Sequence, residues 1–156
     1  MTRPSHQAAV GQQAAHQPWG RLDTVLFVLV ATTLTLVAVQ FALAGLGAFT
    51  RNKNPAADHA YGPHMVLGLI IAALTVLILA VSLAGRAARR HRRTVRLAAT
   101  LAGLALIVEP LLGGAGTRLP FLGALHALNG LIICALTGWL LSETGRRRAA
   151  AKSSRR

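Results

Sequence analysis

Five polar residues lie inside otherwise apolar stretches of this chain and are the side chains best placed to do chemistry: Gln40, His64, Glu109, His126 and Asn129. Neutral imidazole is a common ligand of haem iron, and helical bundles often hold metals and cofactors between side chains of facing helices. We therefore expect His64 and His126 to bind a non-covalent haem b through its iron. Gln40, Glu109 and Asn129 would orient the imidazoles or hydrogen-bond the haem propionates.

The same residues fit a second interpretation that needs no cofactor. Polar side chains form hydrogen bonds between membrane helices worth about 0.6 kcal/mol on average, and such bonds could pin the helices together. The protein would then have a structural or assembly role. A transporter or proton relay built on Glu109 is disfavoured, because a relay needs polar groups through the full membrane depth. The inner half of the chain's apolar runs offers mainly hydroxyls such as Thr33, Thr75 and Thr137.

Four apolar runs must position these residues, and each is long enough to cross a bilayer. A helix needs about 20 residues to span a hydrocarbon core roughly 30 Å thick, and backbone amides in lipid must bond within their own helix. We predict spans at about 24–48, 62–85, 95–115 and 119–142. The first run is too long for a secretory signal, whose apolar core is about 7–15 residues. Short connections make successive spans antiparallel neighbours, which predicts an all-α, up-down-up-down four-helix bundle integral to the membrane.

The polar side chains are expected to lie at a similar depth, in the outer third of the membrane, from their positions along the predicted spans. At a rise of about 1.5 Å per residue, Gln40, Glu109 and His126 fall at nearly one level, with His64 slightly nearer the surface. Small residues at helical spacing share their faces, which favours orientation toward the bundle interior. Lipid exposure of Glu109 would cost about 2.5–3.5 kcal/mol, so we expect it to be protonated or paired with a histidine. The following Pro110 predicts a kink about one turn earlier.

Positive charge is concentrated in the gaps between the apolar runs. The 156 residues include 17 lysines and arginines against 4 acids, which gives a net charge of +13. Most of these cations lie in residues 86–96 and 146–156. The positive-inside rule therefore places both termini and the middle loop on the cytoplasmic side of the membrane, which we expect to be a bacterial plasma membrane. We expect the cations to meet membrane lipids and not nucleic acid. A redox or assembly partner within the membrane is a further possibility.

The chain divides into a polar leader at 1–20, the bundle at 21–145 and a basic tail at 146–156. The leader has no apolar period and is expected to be disordered in the cytoplasm. The single Cys134 cannot form an internal disulfide, and the sequence has no Cys-x-x-Cys-His for covalent haem attachment. The sequence also shows no catalytic triad, phosphate-binding loop or thiolate cluster, so we predict no catalytic residue.

Four segments carry a resemblance to known families: residues 40–49, His64–Gly68, Glu109-Pro110 and Leu125–Gly130. They resemble a family of small four-span bacterial membrane proteins of uncharacterised activity. The arrangement also resembles one four-helix half of haem A synthase, a tandem pair of bundles. In that family, histidines near the outer ends of helices two and four hold haem, and His64 and His126 match those positions. The synthase carries an acid before its helix-two histidine and an arginine after it, where this chain has Ala60 and Met65. This resemblance implies haem binding.

Overall fold

The computed structural model describes residues 19–57, 59–86 and 92–153, and these ranges are helical almost throughout, with no strand. The elements are α1 (Trp19–Lys53), α2 (Gly62–Arg86), α3 (Arg92–Gly103), a π-helical segment (Leu104–Val108), α4 (Glu109–Gly116) and α5 (Pro120–Ser153). Within these described ranges, four stretches are long and apolar enough to cross a membrane: Arg21–Lys53, Gly62–Gly85, Arg92–Gly116 and Pro120–Ala150. We refer to them as the first to fourth spans. The predicted all-α class with four spans is confirmed, and the chain has the build of a multi-pass membrane protein.

The helices extend beyond the apolar runs from which the spans were predicted. The predicted basic tail begins at residue 146, yet α5 continues to Ser153. A helix that leaves the hydrocarbon keeps its own backbone hydrogen bonds, so the membrane boundary does not end it. The predicted disorder of the leader falls mostly on residues 1–18, outside the described residues. Trp19 and Gly20 already belong to α1.

Prolines and glycines mark the helix boundaries as expected. Pro63 follows the first residue of α2, and Pro120 begins α5, where the missing proline N–H has no intrahelical partner to lose. Within the third span, Pro110 has no N–H, so the carbonyl four residues earlier lacks its usual α-helical hydrogen-bond donor. The π-helical segment lies directly before this proline, and the N–H of Glu109 bonds to the carbonyl of Leu104. Such segments are a common cause of helix bending, and this one lies where the kink was predicted.

Each span packs against the next one along the chain, and the fourth also packs against the first. Within the described residues, neither diagonal pair of spans makes direct backbone contact. One core cluster joins residues near the beginnings of the first and third spans to residues near the ends of the second and fourth: Leu26, Val30, Ile78, Ala98 and Leu140. This pairing of beginnings with ends is what an up-down-up-down order would give.

A second core cluster lies about midway along the bundle and supports the polar residues beyond it. It consists of Val37, Ile71, Leu101, Ala105 and Ile133. Three fully buried threonines, Thr33, Thr75 and Thr137, belong to the same interior. Each hydroxyl donates to a carbonyl of its own helix, at 2.7–2.8 Å. The hydrogen bonds of these three hydroxyls therefore stay within their own helices and do not form a polar chain between helices.

Candidate functional site

The first and second spans are joined by a reciprocal pair of hydrogen bonds between Gln40 and His64. The side-chain Nε2 of Gln40 donates to the main-chain oxygen of His64 at 2.8 Å. The Nδ1 atom of His64 lies 3.3 Å from the main-chain oxygen of Gln40. Because a carbonyl oxygen has no proton to give, this contact is a hydrogen bond only when Nδ1 carries the proton. The neutral ring then keeps its lone pair on Nε2.

The third and fourth spans are joined in a similar way by Glu109, His126 and Asn129. Nδ1 of His126 lies 3.2 Å from the main-chain oxygen of Glu109 and 3.5 Å from its Oε1. Nδ2 of Asn129 donates to Oε2 of the same carboxylate at 2.5 Å. Both carboxylate oxygens therefore face the fourth span, as expected for an acid that avoids lipid. The predicted pairing of Glu109 with a histidine is present in the structure.

The two histidine rings meet between the two joined pairs of helices. Their centroids are 6.1 Å apart, and their planes are inclined by 71°. The ring of Tyr61 lies 6.4 Å from that of His64 in a second edge-on contact. Gly47 makes room for this tyrosine, because a methyl group there would lie 2.6 Å from the ring. The structure thus brings together all five of the predicted site residues from all four spans.

A cavity of about 110 Å³ adjoins these residues and is lined by all four spans. Apolar side chains form most of its wall, with Gln40, His64, Glu109 and His126 as its polar groups. The Oε1 atom of Gln40 is buried and has no hydrogen-bond partner among the described residues. An amide flip does not relieve it, since Nε2 is needed for the carbonyl of His64. The wall therefore presents one acceptor that lacks a donor.

The glycines four residues after the two histidines, Gly68 and Gly130, lie against side chains of the protein. A methyl group at Gly68 would lie 3.1 Å from Nε2 of Gln40. One at Gly130 would lie 3.5 Å from the ring of Phe41. A third glycine, Gly113, lies against the imidazole of His126, which a methyl group would approach to 3.1 Å. The close packing around the polar residues therefore depends on small residues in three spans.

Within the described part of the chain, no group of three or more His, Cys, Asp or Glu side chains is arranged to hold a metal ion. A structural zinc ion takes four protein ligands and a catalytic one takes three, so the site does not have the composition of either. The two imidazoles, each with Nδ1 beside a main-chain oxygen, are the nitrogen donors that this site offers.

Sequence reasoning missed a second polar cluster near the other end of the bundle. Arg147 bonds to Oε1 of Glu143 and, at 2.6 Å, to the hydroxyl of Thr94 at the beginning of the third span. The sequence analysis treated the arginine only as a cation of the basic tail. The available signal was the four-residue spacing of Glu143 and Arg147, which places opposite charges on one face of a helix.

Comparison with known proteins finds one family similarity. No curated protein and no solved structure matches the chain, so these comparisons give no support to the resemblance to haem A synthase. A model described as a family of unknown function (DUF6220) matches residues 40–110. The matched segment begins at Gln40, contains His64 and ends at Pro110, just after Glu109. Over this segment, somewhat less than half of its length, the chain is similar to that uncharacterised family.

Proposed function

We propose that this membrane protein binds a non-covalent b-type haem, whose iron His64 and His126 would hold, and uses it for electron transfer or for sensing a small ligand. The observation that carries the proposal is the separation of the two rings. Two imidazoles that would hold one iron between them must approach each other, and these two do so from the second and fourth spans. The observed separation is 6.1 Å.

The hydrogen bonds of the two rings support the same proposal. A histidine that ligates a metal usually donates its other ring N–H to a carbonyl or carboxylate, which fixes its tautomer and orientation. The Nδ1 atoms of His64 and His126 both lie beside main-chain oxygens of a neighbouring span. Each Nε2 atom is then available as a ligand. Glu109 lies close enough to His126 to make this imidazole a stronger donor to iron than its counterpart.

When bound, the haem would supply a one-electron redox centre or, with one histidine released from the iron, a position for a diatomic ligand. The residues of this chain hold the imidazoles and exclude water by means of the surrounding apolar wall. The cavity of about 110 Å³ is large enough for several water molecules. A macrocycle is larger than this, so its binding requires the surrounding spans to separate.

A second candidate function needs no cofactor, and the small cavity favours it. Hydrogen bonds of the polar side chains join the first span to the second and the third span to the fourth. In this account the five residues pin the helices, and the protein acts as a structural or assembly component of the membrane. The ring separation would then reflect only the edge-on packing of two imidazoles.

A visible absorption spectrum separates the two functions. The protein is expressed with ample haem, purified in detergent, and measured before and after reduction with dithionite. We expect a Soret band that shifts on reduction and is lost in His64→Ala and His126→Ala. The matched control is His59→Ala, because this histidine lies exposed in the loop between α1 and α2.

Colourless wild-type protein that also fails to take up added haem would refute haem binding and leave the structural role. A Soret band that persists in both site variants would show that haem binds elsewhere. Far-UV circular dichroism of each variant checks that the helices are retained. Where an alanine variant loses its fold, the glycine variant with free imidazole added tests whether the missing ligand alone restores the band.

A further inference from the structure

The cavity beside the histidines approaches the surface of the bundle on one side. At the end nearer the loop between α1 and α2, the contacting rings of His64 and His126 line it, and at the other end apolar residues of the second core cluster do so. Of the described residues that line the cavity, two are exposed, Phe41 on the first span and Ala127 on the fourth. These two spans pack against each other. The cavity therefore comes closest to the membrane lipid in the gap between the first and fourth spans.

The ring of Phe41 closes this gap. A methyl group at Gly130 would lie 3.5 Å from Cζ of Phe41 and 3.7 Å from Oε1 of Glu109, so the ring and the carboxylate flank the same glycine. Phe41 is 39% exposed, which means that one side of it faces outward. Ala44, Ala127 and Gly130 line the cavity here and are too small to cover it. The phenylalanine ring is thus the bulky group between the acid and the lipid.

The polar contacts of the site leave this side free to open. The described hydrogen bonds of the five site residues lie either between the first and second spans or between the third and fourth. None of these bonds joins the first span to the fourth. Lipid tails are about as apolar as a protein interior, so a ring that turns into lipid loses packing contacts but incurs no hydrophobic penalty. Opening of the gap at Phe41 therefore breaks no hydrogen bond of the site.

The end of the bundle near the loops is more tightly closed. The ring of Tyr61 lies edge-on to that of His64, and it packs so closely on Gly47 that a methyl group there would lie 2.6 Å from it. Between the third and fourth spans, a methyl group at Gly116 would lie 2.8 Å from the backbone of Gly123. Access from the water at this end would require these contacts to separate.

We propose that the gap between the first and fourth spans is the entrance to the histidine cavity, with Phe41 as its gate. The ligand is then a lipid-soluble molecule that enters sideways from the acyl-chain region of the membrane. Its identification as haem, whose ring is flat and largely apolar, rests on the proposed function. Opening at this gap separates the two hydrogen-bonded pairs of spans, which supplies the room that a cavity of about 110 Å³ lacks.

A cysteine in the cavity wall tests the entrance without haem. Ala105 is buried in this wall on the third span, so Ala105→Cys is made in a Cys134→Ala background and the protein is placed in phosphatidylcholine nanodiscs. Two thiol reagents with the same reactive group are compared by mass spectrometry, neutral methyl methanethiosulfonate and charged sulfonatoethyl methanethiosulfonate. We expect the neutral reagent to modify the cysteine and the charged reagent to fail.

Removal of the gate should speed this modification. Phe41→Ala should raise the rate with the neutral reagent by about tenfold, because the closed state loses the contacts of the ring. Phe49→Ala is the matched control, since Phe49 is exposed on the same span and does not line the cavity. It should leave the rate unchanged. Ile133→Cys, in the wall on the fourth span, replaces the reporter if Ala105→Cys does not fold.

The rate of haem uptake by the haem-free protein in the same nanodiscs provides the second measurement. The Soret band should develop faster in Phe41→Ala than in Phe49→Ala. Wild-type protein that takes up no haem would refute the proposed function, whereas the thiol reagents would still decide where the entrance lies.

Modification by the charged reagent as fast as by the neutral one would overturn the proposal, because the cavity would then open to water. Equal rates with the neutral reagent in Phe41→Ala and Phe49→Ala, including no modification of either, would also overturn it. Haem uptake at equal rates in these two variants would show that haem does not pass Phe41.

Discussion

Replacement of Gly113 by alanine tests whether the third span holds His126 in place. The new methyl group would lie 3.1 Å from Cε1 and 3.2 Å from Nδ1 of the imidazole. Carbon atoms in contact prefer about 3.5–4.0 Å, so the ring must move by roughly 0.4 Å or more. The contact of Nδ1 with the main-chain oxygen of Glu109 is 3.2 Å. A shift of this size takes it to the limit of a hydrogen bond.

The adjacent Gly114 supplies a matched control, because a methyl group there meets nothing within 4 Å. Both changes replace a helical glycine by alanine, which alone favours the helix by about 0.5–1 kcal/mol. The difference between the two variants therefore isolates the displacement of His126. Hydrogen bonds between membrane helices average about 0.6 kcal/mol and reach about 1.7 kcal/mol. We expect Gly113→Ala to be less stable than Gly114→Ala by an amount in this range.

Reversible unfolding in mixed detergent and dodecyl sulfate micelles, followed by far-UV circular dichroism, measures this difference. The ¹⁵N chemical shift of the His126 ring nitrogens provides a local readout, because loss of the bond alters the tautomer balance. Equal free energies of unfolding for the two variants, with unchanged ring shifts, would refute the reasoning. In that case Gly113 would not constrain the imidazole.

Three further substitutions test other parts of the structure. Asn129→Leu removes the donor to Oε2 of Glu109, so the free energy of unfolding in micelles should fall by about 0.6–1.7 kcal/mol; wild-type stability would contradict this. Arg147→Gln breaks an ion pair and a hydrogen bond to the third span, so it should lower the thermal midpoint, whereas Arg146→Gln should not. Equal effects of the two would mean that only total charge matters. Thr137→Val should change stability by less than about 0.5 kcal/mol, since the hydroxyl bonds only its own helix; a large loss would indicate a bond between helices.

The spans could be predicted from sequence because a bilayer imposes a simple rule of length and apolarity. The depth of the polar side chains could be predicted from the fixed rise of a helix. This rise predicts that Gln40, Glu109 and His126 lie at one level, without knowledge of their contacts. Helix ends were less predictable. Residues such as Arg146 and Lys152 favour helix as well as water, so the end of an apolar run did not mark the end of α5.

The partners of the site residues were harder to foresee than their depth. Both histidines direct Nδ1 at main-chain oxygens, and every residue of the chain carries such an oxygen. A sequence does not distinguish one carbonyl from another. The roles of Gly68 and Gly113 could not be predicted for a related reason, because the side chain that packs against a glycine belongs to the neighbouring helix. The contacts of Arg147 with Glu143 and Thr94 were hard to predict because the sequence has many arginines nearby.

The π-helical segment at Leu104–Val108 determines which way the acid of the third span points. A π turn takes in one residue more than an α turn, so everything after it is rotated by about 100° relative to an unbroken helix. Glu109 is the first residue beyond the segment. Its carboxylate contacts the fourth span because of this additional residue, and deletion of one residue within the segment would rotate the acid by more than a quarter turn.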